Sequence, residues 1–228
     1  RGLEKDSDKL AAGTKLLMRD AVENYLELAS DYAACGAYPE AVAVLSELAE
    51  GPAAEASRPM LHYNLAFYHY KLRDEPASRH RLQAAAKMPP DFGFPFRLED
   101  IGVLRWSQGK KPGDGRAPYY LGNLLFDRQP QEAIAEWEKA VALDGTFATA
   151  HRNLALAYSR VKNDLPRAVA CLEKAVTRDP VDPRLFSELD ELYDLSDFAP
   201  EKRLDVLSKN HSILAKRDDS LAREIGLL

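Results

Sequence analysis

One segment recurs along this chain with a period of about 34 residues, and a unit of that length is a single supersecondary element that cannot bury its own apolar face. Tyr120-Leu121-Gly122-Asn123-Leu124 returns as Arg152-Asn153-Leu154-Ala155-Leu156, which sets Leu121 and Leu154 33 residues apart. Ala133-Ile134-Ala135-Glu136-Trp137-Glu138-Lys139-Ala140-Val141 returns as Ala168-Val169-Ala170-Cys171-Leu172-Glu173-Lys174-Ala175-Val176, an offset of 35. Both stretches close on an acidic residue and a helix breaker, Asp144-Gly145 and Asp179-Pro180. Two more copies lie upstream, one through Tyr25, Leu28, Ala29, Tyr32, Gly36, Tyr38, Ala41 and Leu45, the other through Leu65, Ala66, Tyr68, Asp74, Leu82, Ala85 and Pro90. A weaker fifth begins at Phe186, Leu189 and Tyr193.

Within each copy the apolar residues return at three and four positions, the spacing of one helix face. A short polar or Gly-bearing break then leads into a second such run, so each unit reads as a helical hairpin. Composition agrees: 33 Ala and 32 Leu stand against 12 Gly and 14 Pro, a helix-favouring balance that nearly excludes an all-β fold. A small residue follows the first-helix Leu in four copies, Ala29, Ala66, Gly122 and Ala155, and another returns on the second helix as Ala41, Ala133 and Ala168. Small side chains at facing points let two helix axes approach to roughly 8 to 10 Å. The fifth copy departs, with Asp190 and Arg203 at those places, which predicts a splayed pair.

These residues resemble the tetratricopeptide repeat, whose pattern is a first-helix aromatic, Leu-Gly and Tyr, a second-helix set of Ala, large, Ala, and a closing Pro. The resemblance implies an all-α superhelix of about five hairpins, at about 22–52, 59–92, 115–147, 148–181 and 182–210. An insert at 93–114 and a C-terminal helix over 211–228 complete one solenoid domain spanning 1–228. From Phe94 to Asp219 the chain also looks like the helical C-terminal part of large bacterial proteins with a β-rich, carbohydrate-active-like N-terminal region. That would make it an excerpt, in keeping with its start at Arg1 and its end at Leu227-Leu228.

Two loops bound the insert. Met88-Pro89-Pro90-Asp91-Phe92-Gly93-Phe94-Pro95-Phe96 is too Pro-rich for helix, and its three Phe rings are expected to plug the gap between units, an aromatic shelf for a partner being the alternative. Gly109 to Gly115 reads as a flexible connector and hinge, and Arg97 to Trp106 between them as one extra helix.

A net charge of −5 lacks the basic face that nucleic acid requires, and no stretch approaches the length of a membrane span. Cys35 and Cys171, both in apolar helical patterns, are expected to be small buried thiols of a reducing compartment, consistent with a cytoplasmic location. His62, His69, His80, His151 and His211 are too scattered for a helical metal site, and His151 is expected to pack in a repeat wall. The cluster Glu188, Asp190, Glu191 and Asp194 reads as a solvated face, not a catalytic pair. No nucleophile elbow or phosphate loop occurs, so neither catalysis nor a cofactor is expected.

Stacked hairpins line a concave surface with their first helices. The residues not spent on hairpin packing are Met60, Tyr63, Phe67 and Tyr70, then Arg116, Tyr119, Asn123 and Phe126, then Arg152, Leu156 and Arg160, then Arg184 and Glu191, with Asn153 beside them. An aromatic stretch followed by a basic one suits an extended protein or peptide partner with an acidic end, or the N-terminal region of a parent protein. Some tetratricopeptide proteins clamp a chaperone's C-terminal carboxylate, and Asn123, Asn153 and Arg184 fall at matching points. Tyr119 and Glu188 replace the Lys and Arg of that clamp, so the chaperone reading is set aside. A scaffold for protein interaction is the expected function, an accessory helical domain of a carbohydrate-active enzyme the alternative. A weak homodimer through the C-terminal helix is a further expectation.

Overall fold

The computed structural model describes residues 22–51, 58–89, 94–217 and Gly226. Among these residues there are twelve α-helices and no strand. Five antiparallel pairs are α1 (Val22–Ala34) with α2 (Tyr38–Ala49), α3 (Pro59–Lys71) with α4 (Glu75–Ala85), α6 (Arg116–Leu125) with α7 (Pro130–Leu143), α8 (Ala148–Arg160) with α9 (Leu165–Arg178), and α10 (Pro183–Leu195) with α11 (Pro200–Lys209). The inserted helix α5 (Glu99–Lys110) lies between the second and third pairs, and the short α12 (His211–Leu214) follows the fifth. At three of the four junctions the second helix packs on the first helix of the next unit, α2 on α3, α7 on α8 and α9 on α10, while α5 bridges α3 and α6 at the remaining one, so the architecture is an all-α solenoid of stacked hairpins.

Local chemistry explains where the helices begin and end. Seven of the twelve carry Pro in the first two positions, where a missing N–H costs nothing and the fixed φ suits the helix. Asp74, Asp164 and Asp182 cap α4, α9 and α10 by accepting from the amides of Ala77, Arg167 and Arg184. In four of the five hairpins the turn holds one residue in the left-handed region, Gly36, Arg73, Asn163 or Asp197. The amide just past Gly36, Arg73 and Asp197 donates to a carbonyl five residues back, which closes the first helix before the second starts.

The core follows the repeat. Ala29, Ala41, Ala66, Gly122, Ala133, Ala155 and Ala168 are all buried at the crossings. In the second unit Ser78 takes the small second-helix position, and its hydroxyl donates to the Ala66 carbonyl at 2.8 Å. Gly122 is required by contact, since a Cβ there would lie 2.4 Å from Trp137 Nε1. A tie recurs between units: Tyr158 donates to Glu138 of the preceding second helix, and Tyr193, 35 residues on, donates to Glu173 at 2.8 Å. In the fifth unit Asp190 and Arg203 meet at the crossing as an ion pair with Nε to Oδ1 at 2.8 Å, and Arg203 also reaches Asp194. Two long charged groups cannot pack as closely as two alanines, and α11 touches α10 much less than the other second helices touch their partners.

Several sequence expectations differ from the structure. Asp190 is buried, so the carboxylate cluster is not wholly a solvated face. Cys35 is exposed, because α1 ends at Ala34 and the thiol sits in the turn; Cys171 is half-buried. Phe94 and Phe96 do not plug a gap, and Phe92 lies outside the described residues. The segment 109–115 is no free hinge: α5 runs on to Lys110, and Asp114 is buried, accepting from the Tyr63 hydroxyl at 2.6 Å and the Arg116 amide at 3.0 Å. The extra helix starts at Glu99 instead of Arg97 because the Asp100 carboxylate takes the Arg97 amide, a reach-back that begins the helix after it. Of the C-terminal helix, 211–214 is helical, while Leu227 and Leu228, where a dimer contact was expected, lie outside the described residues.

Candidate functional site

The aromatic end of the expected groove is occupied by the protein itself. Helix α5 packs on α3 and α6, and its Trp106 ring meets Phe67 edge-on at 5.3 Å and Tyr70 at 5.1 Å between centroids. Lys71 and Lys110 lie over the Phe67 and Tyr70 rings. Met60 and Tyr63 are core residues: Tyr63 has no exposed surface, meets Tyr120 edge-on, and its phenol is pushed well above its ordinary pKa by burial and then by the Asp114 charge. These four side chains therefore belong to packing, a correction to their reading as groove surface. Arg105 and Gln108 extend the same helix to α7, donating to Glu132 at 2.5 Å and Glu136 at 2.8 Å.

The segment that enters α5 is shaped differently. Phe94, Phe96 and Leu98 are 72%, 51% and 78% exposed, while Pro95 is buried between them. Arg97 turns inward to the carboxylates of α1, 3.4 Å from Asp31 and 3.9 Å from Glu27, and lies 3.4 Å from Glu99. Asp100 beneath it accepts from the Asn64 amide at 3.3 Å, and burial raises its carboxyl pKa.

Beyond this strap, on the side of α6, α8 and α10, lies a cavity of about 370 Å³. Phe94, Tyr119, Thr149, Asn153, Arg152 and Arg184 line it, with Asp179 and Asp182 at the loop between the fourth and fifth units. Of the fourteen expected groove residues, Tyr119, Arg152, Asn153 and Arg184 thus converge, and Asn123 joins them through a hydrogen bond. The Asn153 side-chain amide donates to Asn123 Oδ1 at 2.9 Å, and the same oxygen accepts from Trp137 Nε1 at 3.0 Å. Asn123 Nδ2 and Thr149 Oγ1 are buried without a hydrogen-bond partner. Such atoms keep a capacity for a donor or acceptor brought by another molecule.

The guanidinium groups are already engaged. Arg152 forks onto Glu188, with Nε to Oε2 at 2.7 Å and a second bond from Nη2 to Oε1. Arg184 forks onto Asp182, with Nη2 to Oδ2 at 2.7 Å, while its backbone amide is capped by the same carboxylate. Burial works to raise the Asp182 pKa, and the Arg184 side chain and amide outweigh it, leaving the group below the usual carboxylate range. Arg116 donates Nε to the Met88 carbonyl at 2.6 Å and borders an adjoining cavity of about 220 Å³ shared with Asp144, Thr149 and Asp179. Arg160 is exposed at the far end of α8 and lines neither cavity. Phe126 lies tilted against Trp137 at 5.1 Å between ring centroids; Leu156 is half-buried and Glu191 exposed. His151 is buried in the wall, as its repeat position predicts, with Nε2 3.3 Å from the Gly145 carbonyl, and burial lowers its pKa.

Asp179, Asp182 and Thr149 are not among the expected groove residues, and Phe94 enters the sequence analysis only through the alternative of an aromatic shelf. The acidic loop Asp179-Pro180-Val181-Asp182 was the available signal, since it marks the junction of two units. A separate cavity of about 590 Å³ lies against α9 and the turn before α11, walled by Leu165, Val169, Leu195 and Phe198, where the splayed fifth pair leaves room. Among the described residues no group of three His, Cys, Asp or Glu could hold a metal ion, and no helix is long and apolar enough to cross a membrane.

No family model matches the chain. Among solved structures it is similar to MamA (residues 41 to the end) from Desulfovibrio magneticus RS-1, at 21% identity, 88% coverage of this chain, 99% of that chain and a TM-score of 0.47. It is also similar to TTC0263, a thermophilic tetratricopeptide-repeat protein of Thermus thermophilus, at 19% identity, coverages of 91% and 98%, and a TM-score of 0.47. A third similar structure is YrrB, a tetratricopeptide-repeat protein with an unusual peptide-binding site, at 16% identity, coverages of 90% and 92%, and a TM-score of 0.48.

Proposed function

We propose that this protein is a tetratricopeptide-type scaffold that holds an extended peptide segment of a partner in the cavity formed by α6, α8 and α10. The observation that carries the reading is the pairing of Asn123 with Asn153 beside that cavity, with Asn123 Nδ2 and Thr149 Oγ1 left unsatisfied. A peptide backbone offers alternating N–H and C=O groups, the complement that an amide and a hydroxyl can meet whatever the side chains are. The covering of α3 by α5 supports a site confined to the last three units, because the first part of the groove is filled. Chemistry on the bound segment is no part of this reading.

A phage-displayed heptapeptide library panned on the full chain tests it. Selected peptides should lose affinity on Asn153→Ala, whereas Tyr70→Ala at the covered end should leave them bound. Binding that survives Asn153→Ala and disappears with Tyr70→Ala would move the site to the other end of the molecule.

A further inference from the structure

The charge balance around the cavity selects among peptides, and this step rests on the reading above that the cavity holds one. Two guanidinium groups face three carboxylates, Arg152 and Arg184 against Asp179, Asp182 and Glu188, and the adjoining cavity that shares Asp179 adds one group of each sign, Arg116 and Asp144. Arg152 is spent on Glu188, with Asp182 also in its field, and Arg184 is spent on Asp182, with Glu188 and Asp179 around it. Among the described residues Asp179 takes part in no ion pair, and its side chain accepts no hydrogen bond. A carboxylate entering here would have to displace Glu188 or Asp182 from a forked pair and face Asp179 as well. A cation meets the surplus charge and displaces nothing.

The strap supplies the second half of the recognition. Phe94 stands at the cavity wall, and Phe96 and Leu98 continue outward from it with Pro95 and Arg97 turned the other way. Residues 94–96 make no backbone hydrogen bond among the described residues. In an extended run the amides of 94 and 96 open on the same edge, the side on which a second strand pairs. Apolar side chains at alternate positions of such a strand would cover these two rings.

We infer that the gripped segment is an extended one bearing a lysine or arginine, its cationic head received by Asp179 and its alternate apolar side chains lying on Phe94 and Phe96. The probes are two end-capped, fluorescein-labelled hexapeptides, Lys-Thr-Leu-Thr-Leu-Thr and Glu-Thr-Leu-Thr-Leu-Thr, titrated with the full chain by fluorescence anisotropy. The lysine peptide should bind about tenfold more tightly, and about 0.5 M salt should erode the difference. Asp179→Asn should weaken the lysine peptide about fivefold and, by removing a like charge, tighten the glutamate peptide, while Phe94→Ser weakens both. Equal or tighter binding of the glutamate peptide, or indifference of the lysine peptide to Asp179→Asn, overturns the charge assignment and leaves the peptide-holding reading standing. Binding of neither peptide at millimolar concentration, or binding of both that ignores Asn153→Ala, overturns the two together.

Discussion

Replacing Gly122 by alanine adds one methyl group to the tightest point of the solenoid. Its Cβ would lie 2.4 Å from Trp137 Nε1, 2.5 Å from Cδ1 and 2.9 Å from Cε2. Restoring an ordinary contact needs about 1 Å of relief, from the helix axes or from the indole. The indole is poorly placed to move. Its Nε1 donates to the Tyr119 carbonyl at 3.2 Å and to Asn123 Oδ1 at 3.0 Å, and its ring lies against Phe126. Overpacking of this kind costs about 1 to 3 kcal/mol, and each hydrogen bond lost adds about 1 kcal/mol. Alanine recovers about 1 kcal/mol of helix propensity over glycine. The sum is a destabilisation of about 2 kcal/mol, or a fall in Tm of about 4 to 8 °C for a chain of this size. Gly102, in the middle of α5, has nothing within 4 Å of an added Cβ, so Gly102→Ala should show the propensity gain alone, about 0.5 to 1 kcal/mol of stabilisation. Urea unfolding followed by far-ultraviolet circular dichroism compares the two. Equal stabilisation by both substitutions would refute the close crossing of α6 and α7.

Asp190→Ala leaves the Arg203 guanidinium at a buried crossing without its main partner and should cost about 3 to 5 kcal/mol in urea unfolding. Asp190→Ala with Arg203→Ala recreates the small pair of the other units and should recover most of that loss; a double variant as unstable as the single would show that the pair does not meet. The pH dependence of stability should carry a signature of His151, whose folded pKa is lowered by burial, with Lys174 and Arg178 acting in the same sense against the Gly145 carbonyl. The unfolded chain therefore takes up this proton first, so the stability due to neutral His151 is complete above the unfolded value of about 6.5 and is lost as pH falls toward the folded pKa. The urea midpoint of the parent should drop between about pH 7 and pH 5.5, and that of His151→Gln should drop less; identical profiles would show that His151 charges without penalty in the fold.

In a solenoid the neighbour of a side chain lies one period away, and this decides what the sequence could reveal. The crossings were readable because Ala29 and Ala41, or Ala155 and Ala168, stand within one unit, and the ties of Tyr158 to Glu138 and Tyr193 to Glu173 repeat at the period itself. Even the neutralisation of Arg152 was within reach, since Glu188 stands 36 residues on, in the facing register of the next first helix. An insert has no period and so no register. Nothing in the spacing says that Trp106 lands on Phe67 and Tyr70, that Asp114 rises to meet Tyr63, or that Arg97 crosses to Asp31 66 residues away. The misplaced aromatic groove and the hidden Phe94 strap come from the one aperiodic stretch. That stretch decides which first helices remain open, so the peptide-binding reading depends more on residues 94–115 than on any of the repeats.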